Sequence, residues 1–387
     1  MRRKVDPKVE ETIETLNMKD GTTRRRLLEG TGLVSASAAA AALLSACGSS
    51  PSSAAGNAVG ANPFPKTPKW QFWFVNHVTT NTFFGPTQYG MADAAALFGL
   101  PTPRWGGSTN SLVSQMVSYL NSAISGKAAG IATTVINATS FTKPVASAMS
   151  AGIPVVTYNA DGIYSSTGKP NISTNRLAYV GQALFLSGQQ LGLKIKSLVT
   201  TPGDIALFIA TPGTGNIQPR FDGAASVLTP AGYTVHSVTT GASTGVELGN
   251  MKAFLSGHKT VKGAFAVDAG STEFLGQALT ETGVKVPNGG FDTTPTTLSN
   301  ITKGLTDFTI YQDPYLQGFL PTLYLYLFNL SGGTLSPPDT DTGLTFITKS
   351  NAGPFSATSR FQGSTTAQKY IPRPSGPINN PVATTST

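Results

Sequence analysis

The chain has 387 residues, long enough for two domains of ordinary size. Apolar residues make up 40% and charged residues only 12%, a globular balance, and the formal charge of +8 comes from scattered Lys and Arg rather than a patch that nucleic acid would need. One cysteine excludes an intramolecular disulfide or a thiolate metal cluster.

The N-terminal segment has the parts of a targeting signal in order. A polar, basic stretch ends at Thr23-Arg24-Arg25-Arg26-Leu27-Leu28, and an Ala-, Gly- and Ser-rich stretch runs from Gly30 to Ala46. The arginine run resembles a twin-arginine export signal. Leu44-Ser45-Ala46-Cys47 resembles the bacterial lipobox, which implies cleavage before Cys47, lipidation of its sulfur and a membrane anchor outside the cytoplasm. The apolar stretch is too short and too Ala-rich for a membrane span of ~20 residues. Residues 1–46 are therefore expected to be removed. They carry eight Lys/Arg and six Asp/Glu, so the remaining 341 residues are near +6. Residues 47–69 are Ser, Ala, Gly, Asn and Pro with almost nothing apolar to bury, and are expected to form a flexible spacer; residues 372–387 read as a similar tail.

Between these ends, strand and helix patterns alternate. Gln71 to Val78 reads as a strand, Tyr89 to Phe98 as a helix, and Ser111 to Ser125 as a helix with Leu112, Met116, Tyr119, Leu120 and Ile124 at helical spacing. Gly130 to Ile136 reads as a strand, Thr142 to Ala151 as a helix and Pro154 to Tyr158 as a strand. After a looser stretch near Asn175 to Gly181, strands are predicted at Ile205 to Ala210, Thr234 to Val238, Gly263 to Val267, Val284 to Phe291 and Phe308 to Tyr311, with helices between. Such alternation predicts α/β architecture: two doubly wound parallel-sheet lobes, with a ligand site between them at the carboxyl ends of the strands.

Short motifs fall near those strand ends: Asn81-Thr82-Phe83-Phe84, Ala151-Gly152-Ile153-Pro154-Val155-Val156-Thr157-Tyr158-Asn159, Tyr179-Val180-Gly181 and Arg220-Phe221-Asp222-Gly223. Ala266-Val267-Asp268, Gly290-Phe291-Asp292-Thr293-Thr294-Pro295 and Gln312-Asp313-Pro314-Tyr315-Leu316-Gln317-Gly318 follow. In this order and spacing, over Trp70 to Lys349, the chain resembles the type I periplasmic binding proteins, in particular the ribose-type sugar-binding proteins of ABC importers.

The resemblance implies the type I fold: two lobes joined by a three-segment hinge. It divides the chain into 70–180 with 313–338 and 181–312 with 339–371, with crossings near Gly181, Asp313 and Pro337-Pro338. It implies ligand-binding roles for Asn81, Phe83, Phe84, Asn159, Arg220, Asp268, Asp292 and Gln312. Aromatic rings suit the C–H face of a sugar, amides its hydroxyls, carboxylates accept from hydroxyls, and a guanidinium holds two oxygens at once. Asn159 stands where these proteins usually carry Asp, which leaves the choice of sugar open. The implied function is capture of a small sugar or polyol by a monomeric lipoprotein and delivery to the permease and ATPase of an ABC importer, without catalysis, cofactor or nucleic acid. A sensory subunit that presents ligand to a chemoreceptor or kinase would share every one of these features.

Other readings have less behind them. Asp268 and Asp292 could be the paired carboxylates of a glycosidase. Gly241-Ala242-Ser243-Thr244-Gly245 matches a nucleophile elbow, but His258 is the sole histidine after it and no Asp lies between them. His77, His236 and His258 are too dispersed for a metal site. A related DNA-binding repressor would need a helix-turn-helix where this chain carries an export signal.

Overall fold

In a computed structural model, residues 64–137, 139–162, 174–356 and 360–364 are described. Cys47, the signal and the tail lie outside them. The chain divides after Lys66, and the fold is that of the unit beginning at Thr67.

The first lobe is built on β1 (Phe72–Asn76), β2 (Arg104–Gly107), β3 (Gly130–Val135), β4 (Val155–Asp161), β5 (Tyr179–Gly181) and β11 (Thr340–Asp341). Their order across the sheet is β11-β5-β4-β3-β1-β2, all parallel. β1, β3 and β4 are buried along their whole length, as expected where helices cover both faces. Helices α2 (Val113–Ser125) and α3 (Thr142–Ser150) cover one face through Met116, Leu120, Val145 and Ala148. Helix α1 (Gly85–Leu97) covers the other through Met91 and Ala95, together with Leu325 and Tyr326 of α9 (Leu316–Leu330), which returns late in the chain.

The second lobe has β6 (Asp204–Ile209), β7 (Thr234–Thr239), β8 (Gly263–Ala266), β9 (Asn288–Phe291), β10 (Phe308–Tyr311) and β12 (Thr345–Thr348), in the order β12-β10-β9-β8-β6-β7. Only β12 runs antiparallel, against β10. One face is packed by α4 (Leu184–Leu198) and α5 (Gln218–Leu228), the other by α6 (Thr244–Gly257) and α7 (Ala269–Thr282). Helix α8 (Pro295–Lys303) covers the edge with Leu298 and Ile301. α4 and α5 approach closely at two glycines. A Cβ at Gly188 would strike the backbone of Arg220, and one at Gly223 the backbone of Phe185.

Three short segments cross between the sheets: the exit from β5 at Gly181, the exit from β10 at Gln312 and the exit from β11 at Asp341. Arg176 clamps the third to the first lobe: its Nε donates to Asp161 Oδ2 at 3.0 Å and its Nη1 to Asp339 Oδ1 at 2.8 Å. A further segment also returns. Phe355 packs on Tyr311 of the second lobe, while Arg360 pairs with Asp93 of α1 and Phe361 packs on Tyr315. Arg360–Gln362, which the sequence reading placed with the second lobe, thus lies against a helix of the first.

The predicted elements are found with shifted ends. The strand expected from Val284 begins only at Asn288, because Gly283 ends α7 in a left-handed turn and Pro287 has no N–H to give a ladder. β2 and β12 have no counterpart among the predicted strands, whereas β5 and β11 are strands at the first and third crossings, expected near Gly181 and Pro337-Pro338.

Candidate functional site

The carboxyl ends of the two sheets face one cavity of about 100 Å³. Each residue singled out above lines it: Asn81, Phe83, Phe84 and Asn159 from the first lobe, Arg220, Asp268, Asp292 and Gln312 from the second and its hinge strand.

Phe83 and Phe84 come from a single 3-10 turn, Thr82–Phe84, directly ahead of α1. Asn81 starts that turn by accepting from the Phe83 N–H at 2.9 Å. Its amide oxygen is thereby engaged, and its NH2 is the group that can reach a ligand. The two rings meet edge to face, 4.8 Å between centroids, and Phe84 is braced behind by His77 and Trp105. The aromatic wall is therefore fixed before any ligand arrives.

Asn159 and Asp292 both sit in the left-handed region, with φ of 61° and 75°. Asn and Asp are the non-glycine residues that tolerate it best. At Asn159 the register of β4 against β3 shifts between Thr133 and Val135, so the strand end bulges and turns the side chain inward. Asn159 Nδ2 donates to Gln317 Oε1 at 3.0 Å, and Gln312 Nε2 donates to Asp292 Oδ1 at 2.6 Å.

Arg220 is 2% exposed. Its Nε and Nη2 donate to Gln182 Oε1 at 3.2 and 3.0 Å, and Nη1 donates to the Val267 carbonyl at 3.2 Å. Its guanidinium lies 4.2 Å over the Phe291 ring, with Nη1 3.9 Å from Asp292 Oδ2. Burial lowers the guanidinium and raises the Asp292 carboxyl; each opposes the shift of the other. Asp268 is the N-cap of α7. It accepts from Ser271 N at 2.9 Å, from Ala210 N at 2.8 Å and from Ser271 Oγ at 3.1 Å. Burial raises this carboxyl too, against those bonds. Asp268 therefore serves the protein's own backbone more than the sequence implied.

Further polar side chains, outside the expected set, also line the cavity, among them His77, Ser111, Thr211, Asn216 and Glu247. His77 directly follows β1, so the rule that ligands gather at strand ends could have found it. Its Nδ1 is 3.2 Å from Thr134 Oγ1, and its Nε2 is 3.4 Å from Asn216 Nδ2 in the opposite lobe. This suits a neutral ring that donates at Nδ1 and accepts at Nε2; burial lowers its pKa to about 4. Beside it, Gly215 N donates to the Ile136 carbonyl at 2.9 Å, again across the cleft. The lobes are thus in contact on this side and the cleft is closed. Glu247 carried no local signal.

The nucleophile-elbow reading lacks its geometry. Ser243 and His258 stand at opposite ends of α6, about 20 Å apart at 1.5 Å per residue, and His258 stacks on Phe254. No group of His, Cys, Asp and Glu among the described residues could hold a metal ion. No described helix is long and apolar enough to cross a membrane.

Residues 72–327 match the family model described as a periplasmic binding protein domain. The xylose/arabinose-binding protein of Sulfolobus acidocaldarius is 47% identical over 316 residues, covering 79% of this chain and 77% of that protein. Among solved structures, an ABC transporter solute-binding protein of Burkholderia graminis in complex with D-arabinose superposes with a TM-score of 0.67 at 22% identity, covering 75% of this chain and 99% of that one. A carbohydrate transporter of Acidothermus cellulolyticus in complex with myo-inositol gives 0.65 at 23% identity, covering 75% and 97%. A domain match that runs from β1 into α9, a relative of that identity and the same two-lobed architecture place this chain in the periplasmic binding protein family.

Proposed function

We propose that this protein is an extracytoplasmic carrier that captures one pentose or closely related polyol between its lobes and hands it to an ABC importer. The observation that carries the reading is the pairing of walls across the cavity: the Phe83–Phe84 rings on one lobe, and Arg220, Asp292 and Gln312 on the other. A stacked apolar face opposed by charge-assisted donors and acceptors is what a neutral polyol ring requires. A single guanidinium between two carboxylates gives no excess of positive charge for an anion. The volume of about 100 Å³ holds roughly seven to ten water-sized atoms, the size of one monosaccharide ring. The relative named for xylose and arabinose supports a pentose.

Capture works by hinge closure. Ligand touches both lobes only when they are together, so it shifts the population toward the closed form. No bond is made or broken. Cys47, at the end of its lipobox-like run, would carry the lipid that keeps the carrier at the membrane beside its permease, with residues 1–46 removed and the spacer to residue 69 as the tether.

The test is thermal: the mature protein melted with D-xylose, L-arabinose, D-ribose, D-glucose and myo-inositol in turn. A cognate sugar at one hundred times its Kd adds about 2.7 kcal/mol. If none of these compounds moves the melting temperature, the sugar assignment fails.

A further inference from the structure

Glu247 stands in the first turn of α6, lines the cavity and is 5% exposed. Its Oε2 is enclosed by the protein and accepts no hydrogen bond from it. The carboxyl rests against Gly270 at the start of α7, and a Cβ there would run into both of its oxygens. The glycine keeps that space open. A buried polar atom without a partner calls for an explanation, and the carboxyl that carries it borders the ligand cavity.

The charges around it are acidic. From α7, Asp268 and Glu273 face Glu247; burial first, then these two, push its carboxyl up to about 8. Lys252, on its own helix, is taken by Glu281. On β7 the His236 ring lies beside Phe254 and His258. Across the cavity Arg220 and Asp292 face each other, and the His77 ring is kept neutral by burial. A second full negative charge beside Asp268 in this dehydrated corner is unfavourable.

We propose that Glu247 is a further ligand contact and meets the ligand as a neutral carboxylic acid, donating its proton to a ring or hydroxyl oxygen. The inference rests on the sugar reading above. Asp268 cannot play this part, since its oxygens are held by Ala210 and Ser271. A neutral carboxyl offers an O–H donor and an acceptor on one arm.

The experiment is calorimetric titration of D-xylose and L-arabinose into wild type, Glu247→Gln and Glu247→Ala at pH 6.5 and 9.5. If only the acid form binds, wild-type affinity falls about thirtyfold between those pH values. Glu247→Gln, which keeps a donor and an acceptor, binds within about twofold of wild type at pH 6.5 and loses the alkaline fall. Glu247→Ala binds about tenfold more weakly at pH 6.5. Wild type alone gives a second reading: at pH 8.5, binding takes up about three-quarters of a proton, measured from buffers of different ionisation enthalpy. Wild-type affinity that is flat or stronger at pH 9.5, proton release, or unchanged affinity in Glu247→Ala overturns the proposal. Binding of neither sugar by wild type at either pH is instead a failure of the sugar reading, and takes this inference with it.

Discussion

Asn159 in the first lobe and Asp292 in the second are the two ends of one hydrogen-bonded chain. Asn159 Nδ2 donates to Gln317 Oε1 at 3.0 Å, Gln317 Nε2 to Gln312 Oε1 at 3.1 Å, and Gln312 Nε2 to Asp292 Oδ1 at 2.6 Å. Gln317 Nε2 also reaches Thr342 Oγ1 at 3.1 Å, so the second and third crossings are tied at the same point. Two side chains that face the cavity from opposite lobes are thus oriented through the hinge itself, by two glutamines.

Gln317→Leu breaks this chain without touching the cavity wall. Removing one buried partner and leaving its neighbours unsatisfied costs about 1–3 kcal/mol. Chemical denaturation should report that loss, and sugar affinity should fall severalfold. In a double-mutant cycle Gln317→Leu and Asp292→Asn should be clearly non-additive. Additive effects would mean that the two ends are independent.

Arg220→Ala should weaken sugar binding and also destabilise the unliganded protein, because Asp292 then remains buried without its nearest cation. Removing one partner of a buried ion pair costs about 3–5 kcal/mol. Arg220→Lys should rescue little, since one ammonium cannot serve Gln182, Val267 and the Asp292 side together. Full affinity in Arg220→Ala would place the site elsewhere.

Acid should loosen the closed form through His77. Its folded pKa, about 4, lies below the ordinary 6.5. The stability it contributes is complete above pH 6.5 and is lost as pH falls toward 4, since an exposed ring would take up the proton. Melting temperature should therefore drop across that window in wild type and drop less in His77→Gln. Equal slopes in the two proteins would remove His77 from the account.

Glu247 should act with the opposite sign. Its carboxyl is raised from 4.5 to about 8. The folded state is unpenalised below pH 4.5 and loses stability relative to the unfolded chain as pH rises toward 8. Unliganded Glu247→Gln should therefore melt at the wild-type temperature near pH 4.5 and above it at pH 8. A higher melting temperature at both pH values would mean that packing rather than charge sets the difference.

Much of this was legible in the sequence where physics is local. β1 is an aromatic and β-branched run and β3 is rich in β-branched residues, and the motifs that carry Asn159, Asp292 and Gln312 mark strand ends, where a parallel sheet exposes side chains to a ligand. β2 was not legible, because Arg104–Gly107 contributes one large apolar side chain and two glycines and draws its order from pairing with β1. Glu247 was not legible for a related reason. A lone acid in the first turn of a helix normally faces water; this one is buried because α6 packs on α7 and Gly270 leaves room for it. The double engagement of Asp268 also needed three-dimensional information, since Ala210 lies on another strand exit.

The late return of α9 has a consequence for how the chain is made. Leu325 and Tyr326 belong to the same core cluster as Phe72 and Phe74, and β11 supplies the outer strand of that sheet. When β1 to β5 leave the ribosome, one face of their sheet still lacks half its cover. It waits until nearly the whole second lobe has been synthesised. The first lobe therefore cannot complete its core on emerging first, the usual order during synthesis. A polypeptide stopped before α9 would leave the face that carries Phe72, Phe74 and Tyr158 without Leu325 and Tyr326 over it. The molecule becomes competent only when its last crossings emerge.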